Sequence, residues 1–253
     1  MAEHAMQQHH ESARNAYETG RLRVAMSIIQ ECLHADSDDG RAWELSGLVH
    51  YSSGRYRQAV SSLERAQCLV PLRPAGKVCL GHAYGKTGLC DVSRDALLEL
   101  IEDPTLSVPL LLQVGIGLNA VDRPDLAMSV CRKILDEDDQ VAQAYYDLGF
   151  YASECGYSAE AVEFFARKAI SLNPHSVQYR VGLTGLLYEN GQLDDAYELI
   201  EEFSNDDIGT VNCVCCLRRL SNLYKRSSDY RRVVLCQQRL LQLGSTNEES
   251  GHP

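Results

Sequence analysis

Residues 40–73 read GRAWELSGLVHYSSGRYRQAVSSLERAQCLVPLR, and the small residues in this stretch set the frame for the whole chain. Gly47 recurs as Gly81, Gly115 and Gly149, 34 residues apart each time. Leu80, Val114 and Leu148 directly precede the last three. Ala59 belongs to a second series at the same spacing, Ala25, Ala59, Ser93, Ala127 and Ala161, with Ala196 one residue late. Gly54 belongs to a third, Gly20, Gly54, Gly88, Gly156 and Gly191, placed between the other two. Three series locked to one period indicate repeated supersecondary units rather than a single folded layer.

The spacing has a direct physical meaning. Each unit is two antiparallel helices, and one small residue on each helix lets the backbones approach. Leu80, Leu97, Leu148 and Phe165 fill the space around that contact. Glycine at the hairpin tolerates the left-handed conformation that ends the first helix. In the fourth unit Asp122-Arg123-Pro124 replaces it, with Asp122 a helix cap and Pro124 suited to a first helical turn. One hairpin cannot bury its apolar face alone, so neighbours must stack. Seven units follow: 6–39, 40–73, 74–107, 108–141, 142–176, 177–213 and 214–247, between short tails at 1–5 and 248–253. The fifth carries one extra residue near Phe164-Phe165, and the sixth about three before Val214. The last diverges most, with Ser221 and Val233 at the small positions.

Trp43, Gly47, Gly54, Tyr56, Ala59, Leu63, Ala66 and Pro71 together resemble the tetratricopeptide repeat family, with His50 where that family usually has tyrosine. The resemblance extends over nearly the whole chain and implies an all-α fold, a right-handed α-solenoid of seven helical hairpins in one domain. It also implies a protein that holds other proteins and is not an enzyme.

Bulk properties agree. Hydrophobic residues make up 45%, enough for a core, and the formal net charge is −11. That charge argues against sequence-independent nucleic-acid binding and against attraction to anionic membranes. The longest apolar stretch, Leu106 to Val121, is interrupted by Pro109, Gln113, Gly115 and Asn119 and is short for a membrane span. Residues 1–16 contain no apolar core of a secretory signal. Of ten cysteines, Cys32, Cys68, Cys131 and Cys236 sit among apolar helix formers and read as buried thiols. A reducing cytoplasm is the simplest expected compartment.

Signals of chemistry are few. Gly81 to Thr87 is one residue too short for a phosphate-binding loop and no strand precedes it. The acidic runs 36–39 and 136–139 lack the glycine and terminal glutamate of a calcium loop and fall at unit boundaries. His9-His10 reads as a surface pair. Cys213, Cys215 and Cys216 form the densest cluster, but a zinc site commonly uses four ligands, so the expectation is no metal and no cofactor. No catalytic triad can be argued from spacing.

The family resemblance implies that the first helix of each hairpin lines a concave groove. Its expected partner-binding residues here are Leu48, Tyr51, Val78, His82, Leu112, Ile116, Asn119, Tyr146, Phe150 and Tyr188. The centre of this lining is apolar, with Arg14 and Arg41 towards one end and Arg218, Lys225 and Arg226 towards the other. His10, Arg14, Leu45, Ala75 and Cys79 occupy the positions where chaperone-binding relatives clamp a carboxylate, so that clamp is absent. The expected partner is a protein segment, an extended peptide or amphipathic helix with an apolar middle and some acidic residues. Two alternatives are a self-assembling scaffold joined through the C-terminal repeat, where Val234, Leu235, Leu241 and Leu243 exceed what the hairpin covers, and a regulatory subunit using the Cys213 cluster.

Overall fold

The structure, a computed structural model, describes residues 2–249, with side chains described over 6–244. Among these residues all regular structure is helical. Close contacts divide the chain into two compact units, one ending at Ile134 and one beginning at Leu135. Each unit is a stack of hairpins.

The first unit contains α1 (Ala2–Glu18), α2 (Leu22–Ala35), α3 (Gly40–Ser52), α4 (Tyr56–Leu69), α5 (Pro74–Lys86), α6 (Cys90–Glu99), α7 (Val108–Asn119) and most of α8 (Pro124–Glu137). Residues 2–5, expected as a tail, belong to α1. Within this unit α1 lies against α3, α3 against α5 and α5 against α7. Ala13, Ala16, Ala25, Ile29 and Val49 build its first core cluster, and Leu63, Ala66, Leu72 and Leu80 the next.

The small-residue series do what their spacing predicts. A Cβ on Gly47 would collide with the Leu63 side chain, and one on Gly81 would lie 2.6 Å from Leu97 Cδ2. Ser93 takes the alanine position of α6, where its buried hydroxyl donates to Gly81 O at 2.7 Å. The third series ends the first helix of each hairpin. Gly20, Gly54, Gly88, Gly156 and Gly191 all have φ between 71° and 87°. Asp122, expected as a cap, instead takes the left-handed position itself at φ 58°, and Ser228 does so at φ 59°. At every turn the next amide donates back five residues, as in Arg55 N to His50 O and Tyr157 N to Ala152 O, both 2.9 Å, which satisfies a carbonyl the helix end leaves open.

The second unit contains α9 (Ala142–Glu154), α10 (Ala159–Leu172), α11 (Val177–Glu189), α12 (Leu193–Glu198), α13 (Asn205–Thr210), α14 (Val214–Arg226) and α15 (Tyr230–Glu249). Its core gathers Leu183, Leu187, Ile200, Phe203, Leu217 and Tyr224. Here the repeat breaks. α12 stops after six residues, and α13, with a Ser204/Asp207 capping box, occupies the extra length. Side chains help to meet the carbonyls freed by the early stop: Arg180 Nε donates to Leu199 O at 2.7 Å, Tyr224 Oη to Ile200 O at 2.8 Å beside the Phe203 N–H, and Arg232 Nε to Phe203 O at 2.9 Å. α15 continues to Glu249, past the expected end of the last repeat, and positions 250–253 of the expected tail lie outside the described residues.

Candidate partner-binding surfaces

In the first unit the first-helix positions form a chain of contacts across four helices. Tyr17 Oη lies 3.3 Å from Ser52 Oγ. Tyr51 Oη is 3.4 Å from His82 Nδ1, and His82 Nε2 donates to Gln113 O at 2.7 Å. The carbonyl fixes the proton on Nε2, leaving Nδ1 to accept from Tyr51. Burial holds the His82 pKa below the usual imidazole value, so the ring is neutral at pH 7. A Cβ on Gly117 would meet His82 Nε2 at 2.8 Å, which accounts for the second glycine of α7.

The ten expected partner-binding residues divide accordingly. Ile116 is 44% exposed on a helix whose Leu111, Val114 and Leu118 are buried. Leu48, Tyr51, Leu112 and Asn119 are half-buried, and His82 is spent on bridging hairpins. Val78 is 5% exposed and belongs to the interior, so it offers no side chain to a ligand. The repeat offset places it on the first-helix face, but its helix α5 packs between α3 and α7 and the side chain is buried there.

At the other end of the same face, Arg14 and Tyr17 from α1, Arg41, Glu44 and Leu48 from α3, and Arg73 enclose a cavity of about 150 Å³. Glu44 is 4% exposed. It accepts from Arg41 Nη1 at 2.8 Å and from Arg73 N at 2.6 Å. Burial raises its pKa, and the Arg41 hydrogen bond and charge pull the other way. Gly76 is needed because a Cβ there would lie 2.6 Å from Glu44 Oε1. Glu18 also lines the cavity, but Arg14 and the Arg73 guanidinium form no ion pair among the described residues, so three arginines face two carboxylates and the rim carries a net positive charge. Spacing alone missed Arg73, which sits at no groove position, and the burial of Glu44, a groove position that Arg73 and Gly76 of the next repeat close over.

The second unit presents a different surface. Tyr146 stacks on Tyr179 with centroids 4.9 Å apart, and its ring lies over Gly182. Tyr146, Val177, Val181, Val211, Cys213 and Cys216 line a cavity of about 620 Å³. Phe150 is 51% exposed and meets Tyr151 edge-on. Tyr188 Oη accepts from Asn222 Nδ2 at 3.2 Å, tying α11 to α14. A polar chain runs beside Tyr146: Tyr179 Oη donates to Gln143 Oε1 at 3.0 Å, and Gln143 Nε2 to Asp147 Oδ1 at 2.7 Å. Burial lifts the Asp147 carboxyl to about 6, against the lowering effect of Gln143.

Several sequence expectations change on this background. Cys68 is exposed, while Cys32, Cys131 and Cys236 are buried and Cys79 joins them. Burial pushes the Cys79 thiol up to about 12 and Cys236 to about 11. His10 is no surface pair with His9: its Nε2 lies 2.5 Å from Asp39 Oδ2, with Cys32 close by. Asp39 is also the N-cap of α3, accepting from Arg41 N and Ala42 N, so this contact ties α1 to α3. Residues 81–86 lie within α5 and form no loop. Val234 and Leu241 are exposed on α15, while Leu235 and Leu243 pack on the core. No described helix is long and apolar enough to cross a membrane.

Stacked hairpins of this geometry define a class of repeat protein whose general work is to hold other proteins rather than to transform small molecules. Models of the tetratricopeptide repeat match residues 10–76 and 142–176, so the chain carries repeats of that type in both units. No curated protein sequence matches it. Among solved structures it is similar to a tetratricopeptide repeat protein from Parabacteroides merdae, with 15% identity over 95% of this chain and 94% of that one and a TM-score of 0.66. PilW, a type IV pilus biogenesis factor, is 17% identical over 78% of this chain and 91% of its own, with a TM-score of 0.66. YrrB, described as having an unusual peptide-binding site, is 20% identical over 68% of this chain and 88% of its own, with a TM-score of 0.55. At these identities the likeness shows the fold.

Proposed function

We propose that the chain is a protein-interaction adaptor whose first-helix surfaces take a partner segment with an apolar anchor and acidic residues. The observation that carries this reading is the first unit's combination of exposed Ile116, half-buried Leu48, Tyr51 and Leu112, and the electropositive rim of Arg14, Arg41 and Arg73. Large apolar side chains left in water beside a charged rim are what an interaction site offers, and a carboxylate suits paired guanidiniums. Phe150 and Tyr146 give the second unit its own aromatic anchors, of the residue type that dominates binding energy. The peptide-binding site of YrrB supports the same reading by analogy of fold.

A random peptide library displayed on phage and selected on the full chain tests it. Enriched peptides should join an aromatic or branched aliphatic residue to Asp or Glu, and should lose affinity for Ile116→Glu or Phe150→Ala protein. Enrichment of basic peptides, or selection unaffected by these substitutions, would contradict it.

A second reading is self-assembly through the last hairpin, favoured by Tyr230, Val234 and Leu241. They are exposed and lie within one stripe of α15, at spacings of four and seven. Sedimentation velocity across a concentration series, with Val234→Glu as control, separates the two. Association abolished by the substitution supports the second reading, and a monomer throughout removes it. The expected cytoplasmic location belongs to the proposed adaptor role as well.

A further inference from the structure

Cys213, Cys215 and Cys216 are one of two close groups of potential metal ligands among the described residues; in the other, His10 and Asp39 already hold each other and join α1 to α3. Their Sγ atoms all lie within 4.8 Å of one another, and Cys213 Sγ is 2.8 Å from Cys215 Sγ. The cluster stands where the inserted α13 hands over to α14, and that handover is fixed from outside. Arg239 donates to Val211 O at 3.2 Å and to the Asn212 side chain, and Cys216 N donates to Cys213 Sγ at 3.3 Å as Cys213 caps α14. Thiols held by an anchored backbone converge without the entropy cost of gathering them from a loose loop. Cys215 is exposed, giving a way in, and Cys213 and Cys216 also face the cavity of about 620 Å³.

We propose that these three cysteines bind one soft, thiophilic metal ion, Cu(I), as a three-thiolate site. Thiolates select soft ions. Zinc commonly wants four ligands, and no fourth His, Cys, Asp or Glu joins the group among the described residues. Cu(I) is satisfied by three. With metal–sulfur bonds of about 2.3 Å, as for thiolate ligands generally, a trigonal arrangement puts its sulfurs about 4 Å apart. The spread within 4.8 Å accommodates that once Cys215 swings away from Cys213, a side-chain rotation that its exposure permits. Binding releases the thiol protons and changes no oxidation state.

The test uses the full chain, reduced and metal-free under anaerobic conditions, titrated with Cu(I) presented on a chromophoric chelator. The expected result is one ion per chain, with Cys213, Cys215 and Cys216 protected together from alkylation, as mapped by peptide mass spectrometry. Cys215→Ser, conservative at an exposed position, should weaken binding at least about 100-fold, the upper end of what loss of mere outer-shell support costs. Equal affinity in Cys215→Ser, or protection at other cysteines, would overturn the site. So would anaerobically isolated protein in which Cys213 and Cys215 are joined by a disulfide, which would make the pair a thiol–disulfide couple instead.

Discussion

The two compact units solve the same packing problem with different regularity. In the first, every hairpin keeps the 34-residue spacing, and at Gly47 and Gly81 the two helices leave no room for a methyl group. In the second, the spacing slips by one residue in α10 and breaks after α12, and the contact at Gly149 is looser. A Cβ on Gly81 would sit 2.6 Å from Leu97, whereas one on Gly149 would sit 3.3 Å from Phe165 Cβ. The thiol-lined cavity of the second unit exists where the repeat is interrupted, with Val211, Cys213 and Cys216 supplied by the insertion and its junction. Regular repeats make the scaffold here, and departures from them make the distinctive surface.

That contrast sets the largest expected effect. Gly81→Ala forces a methyl into a filled space between helices, and overpacking of this kind costs about 1–3 kcal/mol. Gly149→Ala requires only a small yield by Phe165, offset by the better helix propensity of alanine, worth about 1 kcal/mol. Urea denaturation of both variants should show a marked loss for the first and a change near zero for the second. Equal losses would mean that the two units pack alike.

Next is the break itself. Tyr224→Phe removes one of two donors to Ile200 O, the Phe203 N–H at 3.1 Å remaining, at a cost of about 0.5–1.5 kcal/mol. The loss should appear as faster amide exchange around residues 196–203. Protection unchanged there would show that the early end of α12 does not depend on Tyr224.

The units should also answer pH with opposite signs. The folded chain holds the Asp147 proton more tightly than the unfolded chain does. Its stabilising contribution is therefore complete below the ordinary carboxylate range and is lost as pH rises from about 4 through about 6. Asp147→Asn should add on the order of 1–2 kcal/mol at pH 7, after allowance for partial exposure, and nothing at pH 3. His82 runs the other way. Its pKa is lowered, so its contribution is present above 6.5 and is lost as pH falls through its depressed value. His82→Gln should flatten the acid limb of the stability curve. A profile unchanged by either variant would show that these groups are solvated like free side chains.

The smallest effects come from substitutions towards the repeat pattern. His50 replaces the usual tyrosine, and its buried Nδ1 finds no hydrogen-bond partner among the described residues. His50→Phe should stabilise by up to about 1 kcal/mol. Ser228→Gly relieves a left-handed backbone that costs an ordinary residue about 1–2 kcal/mol, so a gain of similar or smaller size is expected from thermal melts. The same change at Asp122 should gain less, since aspartate tolerates that region better.

Most of the scaffold was legible because small residues at fixed spacing admit few explanations. Gly47, Gly81 and the turn glycines carry their geometry in their identity. The surface was less legible. Ile116 and Phe150, 34 residues apart, are exposed, but Val78, at the offset of Leu112 and Tyr146, is buried, since neighbouring first helices decide how much of each face remains open. Glu44 meets Arg73 across 29 residues, and Cys216 meets Tyr146 in one cavity across 70, and no local pattern encodes such pairs. The extra residues before Val214 were visible in the sequence. That they form a helix placing three thiols beside a cavity was not, because an insertion has no counterpart in the other repeats.

The partner-binding account rests on Ile116 being a ligand contact and no part of the core, and Ile116→Glu tests this most directly. Circular dichroism and melting temperature should be unchanged, while affinity for peptides selected on the wild-type chain should fall by at least about tenfold, or about 1.4 kcal/mol. Loss of helix in the variant would place Ile116 in the core, and unchanged affinity in a folded variant would place the binding surface elsewhere.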